Sequence, residues 1–102
     1  MNIELIRSLA AERKIKWTSH GLERMQERDI SRKDVLSCIA SGKIIEDYPD
    51  DYPFPSCLIF SLADGEKPIH VVVGCDESQI YIITAYIPDL IKFESDLITR
   101  RK

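Results

Sequence analysis

The sequence predicts an α+β domain in which N-terminal helices pack on a four-stranded, mainly antiparallel sheet. Apolar residues recur at helical spacing up to about residue 42 and at strand spacing beyond it, and short polar connectors separate the later apolar runs. At 102 residues, 44% of them hydrophobic and 30% charged, the chain suits one hydrophobic core and no second. The single domain spans 1–102, with a basic helical part over 1–42, the sheet over 43–87, and a C-terminal helix or arm over 88–102.

Ile3, Leu5, Ile6, Leu9 and Ala10 share one face of a first helix over about residues 2–13, with Glu4, Arg7, Ser8 and Glu12 on the other. After the basic stretch Arg13-Lys14-Ile15-Lys16, Thr18 or Ser19 offers an N-cap for a second helix through about Arg28. Ser31 caps a third, with Asp34 at the third helical position, Val35, Leu36 and Ile39 inward and Gly42 as the stop. Residues 43–48 then read as a strand. Pro49, Pro53 and Pro55 exclude regular structure in the segment that follows. Strands over about 56–62, 68–75 and 79–86 are joined by connectors at 63–67 and 76–78, short enough to make neighbouring strands antiparallel.

No run approaches the roughly 20 apolar residues of a membrane span. The start Met1-Asn2-Ile3-Glu4-Leu5 has neither the basic nor the apolar region of a signal peptide, so a cytoplasmic location is expected. Cys38, Cys57 and Cys75 are three widely spaced thiols inside apolar segments. They predict small buried hydrophobes rather than disulfides or a zinc site. The net charge of −3 argues against a nucleic-acid binder, but residues 1–43 carry nine Lys/Arg against six Asp/Glu and the remainder five against eleven. A local positive face is compatible with that total, because the field at a cleft depends on nearby charges.

His20, Arg24 and Arg28 are spaced by four residues, which places them within a helical stripe about 80° wide. A titratable imidazole beside two guanidinium groups suits a phosphate, since the forks bind its oxygens bidentately and the imidazole passes protons. The plainer alternative is that Arg24 and Arg28 pair with Glu23, Glu27 or Asp29 on a solvated helix. His70 alternates with Val71 and Val73 and reads as either a half-buried strand histidine or a second proton carrier. Thr84 and Tyr86 share a strand face and can offer hydroxyls to the same cleft, or serve only as good β-formers. Lys16 adds a cation for substrate ahead of the second helix. Asp47, Asp50 and Asp51 flank the proline-rich loop and read as a solvated turn, so neither metal nor cofactor is expected.

The string from His20 to Ile30, with its H-x-x-x-R-M-x-x-R core, is followed by Ser31, Asp34-Val35-Leu36, Gly42-Lys43-Ile44-Ile45-Glu46, Pro68-Ile69-His70-Val71-Val72 and Ile83-Thr84-Ala85-Tyr86. From Lys16 to Phe93 the chain resembles the small proteins grouped as domain of unknown function 4258, which look like relatives of the RelE-like toxins. The resemblance implies a RelE/barnase-like fold and the toxin of a bacterial toxin–antitoxin pair. The activity it implies is a metal-independent ribonuclease, restrained by a cognate antitoxin that can be a zinc-finger protein. In that reading His20, Arg24, Arg28, His70 and Tyr86 are catalytic and Thr84 and Lys16 bind RNA. His20 and Arg24 are expected to share one cleft with His70 or Tyr86. The rival reading is a non-enzymatic module whose cationic stripe docks an acidic partner protein or RNA. The oligomeric state stays open.

Overall fold

Three small polar side chains start the three helices of the computed structural model, which describes residues 1–63 and 66–102, leaving the tip of the expected 63–67 loop outside the described residues. Asn2 accepts the Glu4 N–H at 2.8 Å and opens α1, Ile3–Ala11. Thr18 accepts the Gly21 N–H at 3.0 Å and opens α2, Ser19–Glu27. Ser31 and Asp34 exchange side-chain and backbone hydrogen bonds in a capping box that opens α3, Arg32–Ser41, and Gly42 closes it. Among the described residues no helix is long and apolar enough to cross a membrane.

Among the described residues the sheet has five strands rather than four: β1 Ile15–Trp17, β2 Lys43–Tyr48, β3 Ser56–Ala63, β4 Lys67–Cys75 and β5 Ile80–Tyr86, in the order β1-β5-β4-β3-β2. The added strand is β1, which pairs parallel to β5, so the sheet is mixed; every other pairing is antiparallel. Three residues are too few for an alternation to show in sequence, and β1 has a partner only because β5 leaves an edge free.

One sheet face carries Cys57, Ile59, Ile69, Val71, Val73, Ile80 and Ile82, which meet Ile6, Leu9, Met25, Val35 and Ile39 from the helices in the core. The three cysteines are buried and free. Burial pushes the thiol of Cys38 up to about 11 and that of Cys57 up to about 12, so both stay protonated and packed rather than nucleophilic.

The second face is set by an irregularity in β5. Val73 pairs with Ile82 and Val72 with Thr84, so Ile83 is the extra residue of a bulge. Strict alternation from Ile80 and Ile82 would send Thr84 and Tyr86 into the helical core. The bulge instead turns them out on the side of His70, which pairs with Tyr86. Residues 88–102 form an arm of turns across this face rather than a helix, pinned by a bridge between Phe93 and Arg100. Asp89 and Asp96 each accept backbone N–H groups two and three residues ahead, a local pairing that competes with helix.

Candidate functional site

The second sheet face holds His70 at its centre. This histidine is 0% exposed, not half-buried, because the arm lays Phe93 edge-on against its ring at 4.7 Å between centroids while Phe60 closes another side at 5.7 Å. Its Nε2 stands 2.7 Å from the carbonyl oxygen of Leu97, which can only accept, so Nε2 carries the proton. Burial holds the imidazole below its ordinary pKa and hence neutral, which leaves Nδ1 as an acceptor. The Tyr86 hydroxyl, 3.3 Å away, is therefore the donor to it. Leu97 has φ 60°, a left-handed conformation that costs a branched residue on the order of 1 kcal/mol. That backbone turn aims its carbonyl at the ring.

Tyr86 faces a cleft of about 560 Å³ lined also by Arg28, Lys92, Phe93 and Arg100. Arg28 follows the last turn of α2 and its Nη1 donates to the Ala85 carbonyl at 2.8 Å and to the Thr84 hydroxyl at 3.3 Å. Arg100 pairs through Nε with both carboxylate oxygens of Glu46, at 2.8 and 3.0 Å, and lies 4.9 Å over the Phe93 ring. The Tyr48 hydroxyl completes this cluster by donating to Glu46. Three cations thus border one phenol, with Asp89 the single acid in the lining among the described residues. Burial raises the Tyr86 phenol above its ordinary pKa, so it is protonated at neutral pH.

The structure brings Arg28, Thr84, Tyr86 and His70 together and leaves the other expected residues apart. His20 is exposed in the first turn of α2, roughly 12 Å along the helix from Arg28. Arg24 pairs with Glu27 at 2.9 Å, the ordinary surface pairing. Neither lines the cleft that holds Tyr86, so the expected grouping of His20 and Arg24 with the strand residues is not the one observed. Lys16 projects from β1 beside Tyr81, toward the opposite end of β5. Asp47 binds the N-terminal ammonium at 2.5 Å, and Asp51 accepts from the Ser56 hydroxyl at 2.6 Å.

Lys92, Arg100, Phe93 and the Leu97 carbonyl were not legible as site components. Nothing local in the sequence of residues 88–102 shows that the arm folds back over the sheet.

The model of a family described as domain of unknown function (DUF4258) matches residues 17–87. No curated protein and no solved structure matches the chain. The matched stretch contains Arg28, His70, Thr84 and Tyr86 and stops short of the arm that supplies Lys92, Leu97 and Arg100.

Proposed function

The chain belongs to the DUF4258 family, a domain of unknown function, and on that premise we propose that it acts on RNA as the toxin-like half of a toxin–antitoxin pair, cleaving a phosphodiester without metal. The observation that supports this reading is the cleft that Arg28, Lys92 and Arg100 line together with Tyr86, whose hydroxyl is bonded to a neutral imidazole. Cleavage by the RNA 2′-hydroxyl needs a base, positive charge over the phosphorane, and an acid for the leaving 5′-oxygen. Tyr86 Oη takes the 2′-proton as its own proton passes to His70 Nδ1, and the Leu97 carbonyl stabilises the resulting imidazolium through Nε2–H. The relay run in reverse returns the proton to the 5′-oxygen. The guanidinium groups hold the phosphoryl oxygens meanwhile. His20 and Arg24 lie along the same helix and serve substrate approach rather than proton transfer.

The rival reading, a binding module for RNA or an acidic partner, is favoured by one observation. The exposed imidazole, His20, stands outside the cleft, and the sealed one, His70, reaches it only through Tyr86. Purified protein incubated with a mixed RNA pool in EDTA separates the two. Cleavage is expected to persist in EDTA, to fall about 10²-fold or more in Tyr86→Phe, the scale of lost acid–base catalysis, and to fall in Arg28→Lys, where charge stays but the fork is lost. RNA binding without cleavage by the wild type would replace the nuclease with the binding module. The toxin reading also expects growth arrest on induction, relieved by co-expression of a neighbouring small protein with paired C-x-x-C motifs.

A further inference from the structure

A second recess lies on the same face of β5 as the Tyr86 cleft. It measures about 290 Å³ and is bordered by Lys16, Asp51, Tyr52, Phe54, Gly74, Tyr81 and Ile83, with the Asp51 carboxylate engaged by the Tyr52 N–H and the Ser56 hydroxyl. Tyr81 pairs with Gly74 on one side and Lys16 on the other, and Gly74 has the same parity on β4 as His70. Recess and cleft are therefore two stations on one surface, separated by the rise from Tyr81 to Tyr86, roughly 16 Å.

The recess has three properties that point to one ligand. Its wall is aromatic, with Phe54 stacked on Tyr81 at 4.8 Å and 14° between planes. Glycine at position 74 lets the Ile83 side chain lie against the β4 backbone as the floor, since a Cβ there would meet Ile83 Cδ1 at 3.3 Å. At its rim Tyr52 is 91% exposed, the most exposed large apolar side chain among the described residues, although the recess beside it is apolar. An apolar aromatic slot with an exposed lysine at its edge matches a flat ring attached to an anion.

We infer that the Lys16–Tyr52–Tyr81 recess is a nucleobase subsite, which seats one base of a single-stranded RNA against Tyr52 while Lys16 takes the adjoining phosphate and the next part of the strand runs along β5 to the Tyr86 cleft. This rests on the RNA reading above and adds to it where a base, rather than backbone alone, is held. Stacking is tolerant of base identity because every base has a π-face, so the subsite confers affinity before sequence preference.

The test is binding of two probes by the full chain, a hexanucleotide RNA and an abasic ribose-phosphate hexamer of equal charge. Tyr52→Ala is expected to weaken RNA binding about tenfold, the scale of one base–aromatic stack, and to leave the abasic probe unchanged. Lys16→Ala is expected to weaken both. Tyr52 is exposed, so its removal leaves the core intact; thermal unfolding of the variant checks this. Equal RNA affinity for wild type and Tyr52→Ala, or an equal loss on both probes, overturns the base subsite while leaving the RNA reading in place. A wild type that binds neither probe overturns both.

Discussion

His70 is the residue on which the second sheet face depends. Its two ring nitrogens join a strand hydroxyl to an arm carbonyl, and its three aromatic neighbours come from three segments of the chain. Replacement by Ala would empty a filled site and strand the Leu97 carbonyl, while the Tyr86 hydroxyl keeps its access to the cleft. His70→Ala is expected to cost about 3 kcal/mol of stability, the sum of a partial cavity and an unmet buried acceptor, measured by urea unfolding. Surface substitution of His20, by contrast, should stay within about 0.5 kcal/mol. Sequence alternation correctly put His70 on the side away from Val71 and Val73. It did not show the burial, because the covering residues, Phe93 and Leu97, lie more than twenty positions further on in a segment without period.

At the scale of elements, the helices were legible where their caps were. Thr18, Ser31 and Gly42 mark α2 and α3 to within a residue, since capping is a local transaction between neighbouring side chains and amides. The strands from β2 to β5 followed from connectors and alternation, but the bulge at Ile83 did not, although it decides which way Thr84 and Tyr86 face. Within α2, Gly21 fixes the distance to the sheet. A Cβ at this position would stand 2.8 Å from both the Ile82 carbonyl oxygen and Thr18 Oγ1, and Thr18 itself donates to Ile82 O at 2.9 Å. A backbone carbonyl has little room to yield. Gly21→Ala is therefore expected to destabilise by about 2 kcal/mol, the range of forced overpacking, despite the better helix propensity of Ala. Because Arg28 caps α2, the same change should loosen the grip of Arg28 on Ala85, which under the proposed RNA reading is measured as weaker RNA binding after correction for the folded fraction.

For the molecule as a whole, the burial of His70 beneath the arm predicts that stability depends on pH. His70 is surrounded by Tyr86, Glu46 and Arg100, and burial, the largest influence, holds its pKa below the ordinary 6.5. Above that value the ring is neutral in both folded and unfolded chains and there is no penalty. As pH falls below 6.5 the unfolded chain takes up a proton that the folded one resists, so stability declines until the depressed folded value is reached. Carboxylates held low by hydrogen bonds, such as Asp76 and Asp96, lose their contribution only at more acidic pH, near and below their ordinary 3.8. The urea midpoint is therefore expected to drop between pH 7 and about 5 in the wild type, and to flatten over that window in His70→Gln. An unchanged slope in the variant would assign the acid sensitivity to another group.

The parallel pairing of β1 with β5 also bears on the order in which the protein can be assembled. Ile15 finds its partner at Ile80 and Trp17 at Ile82, and both α1 and α2 rest on that same last strand. During synthesis the first third of the chain leaves the ribosome with one hydrogen-bonding edge unmet. It stays unmet until the final strand emerges some sixty residues later. Contacts so distant in sequence slow the search for the native state. The first helices and β1 are thus made early and fixed late, and because Lys92 and Arg100 come from the arm, the cleft is not finished until the segment after β5 has also been made.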